Sequence, residues 1–151
     1  MRLSKITLGL FIACLAAAGC TRDNDIIYPP DAPVGGKGGK AVLRVTPRHH
    51  GKNIDSCVIK LAYDNNNFPA KGWDEVKNVV IVNGEPVATF DSLAPGQYFI
   101  YAEGWDSYTE ITNGPADVYG SGPFYIRDSM AEHHVYMDVN DLIDHVHTPQ
   151  D

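Results

Sequence analysis

The chain has 151 residues, and its 12 Lys and Arg against 19 Asp and Glu give a formal net charge of −7. An acidic chain without a cluster of Lys and Arg is repelled by phosphate backbones, which argues against nucleic-acid binding. This length supports one domain with a modest hydrophobic core.

The first twenty residues are typical of an export signal. Arg2 and Lys5 give a positive start, and the apolar run over 6–18 ends in small residues. That run is too short to span a bilayer, and its end fits a signal-peptide cleavage site. We therefore predict a signal peptide over residues 1–19.

The end of this signal, Ala17-Ala18-Gly19-Cys20, resembles a bacterial lipobox, with Ala17 where the usual lipobox has Leu. In that motif the cysteine thiol receives lipid and becomes the first residue. The resemblance implies a lipoprotein held in the membrane through Cys20, because two or three acyl chains are enough for stable anchoring. The alternative is a plain signal peptide that leaves Cys20 as a free thiol.

Residues 20–40 are predicted to be the lipidated cysteine and a flexible tether, rich in proline over 28–33 and in glycine over 35–39. Asp23 and Asp25 resemble the acidic signal that exports some Gram-negative lipoproteins. We therefore expect an outer-membrane location. These residues do not distinguish the periplasmic leaflet from the cell-surface leaflet.

From residue 41 onward the pattern predicts strands and no helix of normal length. Predicted strands cover residues 41–46, 57–63, 76–82, 87–90, 97–103, 124–127 and 134–139. Turn residues separate them, including Asn83-Gly84, Pro95-Gly96 and the glycine-rich stretch 120–123. Seven short strands predict an all-β sandwich or barrel over 41–140, with 141–151 as a C-terminal tail.

The core is predicted from the apolar phase of these strands and from the apolar side chains that plug its end at the turn before Pro95-Gly96. The predicted core residues are Leu43, Val45, Val58, Leu61, Phe90, Leu93, Tyr98 and Ile100. Cys57 lies in an apolar run and is interpreted as a small buried hydrophobe. It has no disulfide partner if Cys14 leaves with the signal and Cys20 is acylated.

Two stretches resemble carboxypeptidase-regulatory-like and Cna B-type domains. Residues 51–59, Gly-Lys-Asn-Ile-Asp-Ser-Cys-Val-Ile, resemble their G-x-P-I-x-x-A-x-V turn and second strand, with Asn53 and Cys57 as departures. Residues 88–102 resemble their T-F-x-x-L-x-P-G-x-Y-x-I-x-A segment. The resemblance implies a seven-stranded transthyretin-like (prealbumin-like) β-sandwich with Greek-key connections. Its first and last strands lie in one sheet region. The resemblance implies no particular function.

Six histidines fall into three groups, at 49–50, at 133–134 and at 145 and 147. Imidazole is the commonest protein ligand for zinc and copper. If the first and last strands run antiparallel, their histidine-bearing ends can meet. A zinc or copper site is then predicted from His49 and His50 with His133 and His134. The alternative is that all six are solvated and that no cofactor is bound.

Aromatic residues crowd the loop-rich half of the chain, and they are frequent on interfaces and sugar-binding faces. The candidates for a binding patch are Trp73, Trp105, Tyr108 and Tyr119. The alternative is packing in the core and turns.

Catalytic motifs are missing: the sequence has no Gly-x-Ser-x-Gly elbow, no His-Glu-x-x-His and no phosphate-binding loop. We therefore expect no enzymatic activity. The predicted function is a non-catalytic, lipid-anchored binding or assembly module for another envelope protein or a surface glycan. The alternative is a metal-binding envelope lipoprotein that uses the histidine pairs.

Overall fold

The computed structural model describes residues 33–107, 114–128 and 130–141. Within these ranges, no helix is long and apolar enough to cross a membrane. The described residues form the strands β1 (Lys37–His49), β2 (Lys52–Asn53), β3 (Cys57–Tyr63), β4 (Glu75–Asn78), β5 (Val80–Val82), β6 (Glu85–Leu93), β7 (Gly96–Asp106), β8 (Ala116–Ile126) and β9 (Glu132–Asp138).

The strands form two sheets that share one hydrophobic core. Sheet I has the order β9-β1-β6-β5, with β2 paired to the end of β1, and sheet II has the order β4-β3-β7-β8. All pairings are antiparallel except that of β1 with β9, which is parallel. The prediction of an all-β fold is confirmed, in a two-sheet arrangement.

Seven of the eight predicted core residues are buried, and Val58 is the exception. Val58 is half-buried, whereas Cys57, Ile59 and Leu61 make up the buried phase of β3. Side chains alternate along a strand, so Val58 and Leu61, three positions apart, cannot share a face. The prediction of Val58 as core was therefore wrong by one position.

The strand predicted over 76–82 is two strands. β4 pairs with β3 in sheet II, whereas β5 pairs with β6 in sheet I, so the chain changes sheet at Val79. The predicted turn at Asn83-Gly84 joins β5 to β6, and both residues have positive φ, 53° and 85°. Such values are those of the two-residue hairpin turns that favour Asn-Gly.

The stretch 120–123, predicted as a loop, lies inside β8, which pairs with β7 along its whole length. β8 is the outer strand of sheet II, and Pro123 is tolerated there because an edge strand needs fewer backbone donors. Gly120 has a structural reason as well: a side chain there would collide with the carbonyl oxygen of Asp138.

β1 begins at Lys37, inside the segment predicted as a tether over 20–40. The glycines around this point are packed closely against other backbone. A Cβ at Gly39 would collide with the carbonyl of Leu93, and one at Gly35 with the carbonyl of Gln97. This part of the glycine-rich stretch therefore belongs to the folded domain.

Replacement of Phe90 by alanine should test the core. Phe90 is fully buried between the sheets, so Phe90→Ala should lower the free energy of unfolding by about 3–5 kcal/mol. Phe68→Ala is the matched control, because Phe68 is 64% exposed, and its cost should be less than half as large. Urea unfolding measures both, and a loss below about 1 kcal/mol for Phe90→Ala would contradict its place in the core.

Candidate functional site

The outer face of sheet II carries most of the described aromatic side chains that do not enter the core. Along β7, Tyr98, Ile100 and Ala102 point into the core, so the odd-numbered residues point outward. We call this surface the aromatic face. Its six residues are Phe99, Tyr101 and Trp105 on β7, Tyr119 on β8, and Phe68 and Trp73 from the loop between β3 and β4.

One end of the aromatic face is covered by the loop. Trp73 stacks on Phe99 and Tyr101, with ring centroids 6.4 and 5.5 Å apart and interplanar angles of 20°. Phe68 meets Trp73 edge-on at 5.2 Å. The loop also encloses a cavity of about 430 Å³ that Trp73 helps to line. At this end aromatic packing covers the sheet, and Phe99 is buried by it.

The other end of the aromatic face is open. Trp105 and Tyr119 are 44% and 42% exposed, and they line an open groove of about 310 Å³. The remaining lining residues are Ser56, Val58, Glu103, Gly104 and Asp117. We call this the Trp105–Tyr119 groove.

Strand register arranges the groove. Trp105 lies opposite Asp117, and Glu103 lies opposite Tyr119. The four outward side chains therefore occupy the corners of a quadrilateral, with the two rings on one diagonal and the two carboxylates on the other. Directly opposed residues in an antiparallel pair have Cβ atoms about 4.5–5.5 Å apart, so one ligand can touch all four.

Glu103 contacts Lys60 and Tyr101, which lie beside the groove on the same face of sheet II. The ammonium Nζ of Lys60 on β3 lies 2.6 Å from Glu103 Oε1 and 5.6 Å from the centroid of the Tyr101 ring. Burial and then the charge of Glu103 raise the pKa of Tyr101, whose hydroxyl hydrogen-bonds to that carboxylate. The Tyr101 hydroxyl therefore stays protonated and donates to Glu103.

The structure brings together two of the four residues predicted as a binding patch. Trp105 and Tyr119 share the groove, Trp73 lies in the covered cluster on Phe99 and Tyr101, and Tyr108 lies outside the described residues. Sequence analysis missed Glu103 and Asp117. The outward position of Glu103 follows from the alternation from Tyr98 onward, which puts it on the face of Trp105, whereas that of Asp117 follows from the register of β7 against β8.

The histidine pairs do not converge. Because β9 runs parallel to β1, His133 lies opposite Leu43 and His134 opposite Arg44. His49 is six residues further along β1 than Leu43, which is about 20 Å at 3.3 Å per residue. The antiparallel arrangement assumed for a shared metal site was therefore wrong: His133 and His134 lie beside the middle of β1, whereas His49 and His50 lie at and just beyond its C-terminal end.

Each histidine pair has other neighbours. His49 is buried, with Nδ1 2.8 Å from Asp106 Oδ2, and its ring lies 4.1 Å from that of His50. His134 Nε2 is 2.9 Å from Thr46 Oγ1, and His133 Nε2 is enclosed without a hydrogen-bond partner among the described residues.

No group of three or more His, Cys, Asp or Glu side chains within the described ranges is arranged to hold a metal ion. The remaining candidates, His145 and His147, lie outside those ranges, as does the predicted lipidation site Cys20.

Cys57 is a buried free thiol, as expected of a small core residue. Burial first, and then the charges of Asp55 and Asp106, raise its pKa to about 12. The thiolate is the nucleophilic form of cysteine, so this thiol is inert near neutral pH.

Comparison with known proteins found no match: no protein-family model, no curated protein and no solved structure matches this chain.

The raised pKa of Cys57 predicts an alkaline loss of stability. Deprotonation is easier in the unfolded chain, so the free energy of unfolding should hold below pH 9.0, the ordinary thiol value, and fall as pH rises towards about 12. One such group contributes up to about 1.4 kcal/mol per pH unit in that window.

The matched control is Cys57→Ala, which lacks the thiol but keeps Tyr63 and Tyr98, whose pKa values burial also raises. Urea unfolding at several pH values from 8 to 10.5 should show a shallower fall for this variant than for the natural chain. Equal slopes would rule out a contribution from Cys57.

Proposed function

We propose that this protein is a lipid-anchored lipoprotein of the outer membrane whose domain is a non-catalytic binding module. We further propose that the Trp105–Tyr119 groove holds a surface glycan. The observation that carries the proposal is the pair of exposed rings set diagonally across β7 and β8, with Glu103 and Asp117 beside them. The apolar C–H face of a sugar packs on an aromatic ring, and its hydroxyls donate to carboxylates.

The rigidity of the platform supports this proposal. β7 and β8 are paired from Gly96 with Ile126 to Asp106 with Ala116, so backbone hydrogen bonds fix the spacing of the four groove side chains. A preorganised site loses little conformational entropy on binding. The groove is open along the sheet surface, a shape that suits a length of polymer better than an enclosed small molecule.

A protein partner is favoured by a different observation. Among the described strands, β5 pairs with β6 alone, and its three residues Val80, Ile81 and Val82 are all exposed. An exposed apolar edge strand can pair with a strand of another chain. This edge belongs to sheet I, so substitutions at β5 and in the groove separate the two partners.

For the fold, we propose the transthyretin-like sandwich implied by the sequence resemblance. Two features support it: β1 and β9 are neighbours in sheet I, and the Pro95-Gly96 corner precedes the buried Tyr98. β2 and β5 have only two and three residues, and the other strands number the seven that the family has.

The lipid anchor is tested by Cys20→Ala. Because acylation needs the thiol, this change should abolish lipid labelling and release the protein from membranes into the soluble fraction. Cys14→Ala is the matched control, because Cys14 lies within the predicted signal, and it should remain membrane-bound. A Cys20→Ala protein that is still acylated would refute the anchor.

The glycan site is tested by affinity electrophoresis of the full-length chain against a panel of polysaccharides, in a detergent that contains no sugar. Trp105→Ala and Tyr119→Ala should each weaken binding at least about tenfold, because buried aromatic contacts dominate such interfaces. Phe68→Ala removes an exposed ring outside the groove and should have little effect. Retention of full affinity by the Trp105→Ala/Tyr119→Ala double variant would refute the site.

A further inference from the structure

The charge of the groove narrows the ligand. Among the residues that the structure describes, the lining contains two carboxylates, Glu103 and Asp117, and no cationic side chain. Lys60 offsets part of the charge of Glu103 from outside the lining, whereas Asp117 is exposed on the edge strand β8. The groove therefore presents excess negative charge next to two aromatic faces.

An ammonium group complements this arrangement. A cation above the middle of the quadrilateral lies close to both carboxylates and to the faces of both rings, so Coulomb and cation–π attraction act together. Resting on the glycan-binding function proposed above, we propose that the groove selects a glycan with free amino groups, that is, a polymer containing amino sugars.

The chain itself already holds an ammonium group between a carboxylate and an aromatic ring on this face, where β3 lies beside β7. Lys60 places its ammonium 2.6 Å from Glu103 Oε1 while lying over the Tyr101 ring. An ammonium held between a ring and a carboxylate is thus compatible with the spacing of this face. In the groove, Trp105 and Asp117 lie directly opposite each other and offer the same two groups to a ligand.

The aromatic diagonal favours an amino sugar over a basic peptide. A pyranose ring has a flat apolar face that covers an indole ring, and its amino group projects from the ring edge towards a neighbouring carboxylate. A lysine side chain carries an ammonium group but has no flat apolar face. Its binding would therefore depend on the two carboxylates more than on the two aromatic rings.

The experiment is calorimetric titration of the full-length chain, in sugar-free detergent and at a pH where the amine is protonated. The probes are a glucosamine hexamer, its N-acetylated counterpart and the neutral glucose hexamer of the same linkage. The glucosamine hexamer should bind at least about tenfold more tightly than the N-acetylated hexamer or the glucose hexamer. Added salt should reduce this difference in affinity, because it screens the charges.

Two variants sharpen the test. Asp117→Asn keeps the shape of the side chain and removes its charge, so it should weaken binding of the glucosamine hexamer more than binding of the neutral hexamer and reduce the preference severalfold. Lys60→Met keeps the apolar stem and removes the competing ammonium, so it should strengthen binding of the glucosamine hexamer relative to binding of the neutral hexamer.

The outcomes separate the two proposals. If the neutral hexamer binds as tightly as the glucosamine hexamer, the charge inference is overturned while the glycan function stands. If no hexamer binds, the selection of an amino sugar is overturned, whereas the glycan function is decided separately by the polysaccharide panel and the Trp105→Ala/Tyr119→Ala double variant. If a lysine hexapeptide binds as tightly and does not require Trp105, the selection of an amino sugar is overturned in favour of a basic peptide.

Discussion

The buried hydroxyl of Tyr98 connects the chain segments on which the rest of the sandwich depends. It accepts a hydrogen bond from the backbone N–H of Gly36 at 2.9 Å. Its own proton is shared between the carbonyl oxygens of Gly36, at 3.0 Å, and Ala94, at 2.6 Å. Burial raises the pKa of Tyr98, so that proton is retained. The start of β1, the corner between β6 and β7, and the core are thus joined at one buried polar atom, which is costly to leave without partners.

This junction explains the glycines around it. Gly96 has a φ of 146°, and a Cβ there would collide with the backbone nitrogen of Gly35. Gly39 approaches the carbonyl of Leu93 just as closely, where the register of β1 against β6 shifts. Three strands of sheet I then depend on β1, because it pairs with β2, β6 and β9. Glycine in this stretch therefore provides close packing, although its composition resembles that of a flexible linker.

Sequence analysis succeeded where one face of a strand is clearly apolar. Tyr98 was predicted to be core from the apolar phase of its strand, and Phe90 and Leu93 as the plug of the turn that resembles the family's segment; all three are fully buried. It failed where the local pattern is ambiguous: residues 57–63 carry apolar side chains on both faces, and Gly120 of β8 is required by its contact with Asp138, which is distant in sequence. The alternation of apolar and polar residues is the same in parallel and antiparallel strands. The parallel pairing of β1 with β9 could therefore not be predicted, nor could the separation of the histidine pairs that results from it.

The same alternation decides what the outer face of sheet II can do. With Tyr98 fixed inward, the odd-numbered residues of β7 face outward, and a slip of one residue would bury Trp105. The loop carrying Phe68 and Trp73 covers the outward rings of Phe99 and Tyr101 and does not reach Trp105. Aromatic side chains on one face of β7 are therefore packed at one end and exposed at the other. Val58 belongs to this outward phase. The residue misplaced in the core thus lines the groove, because β3 presents one face to the core and the other, with Val58 and Lys60, to the outer surface of sheet II.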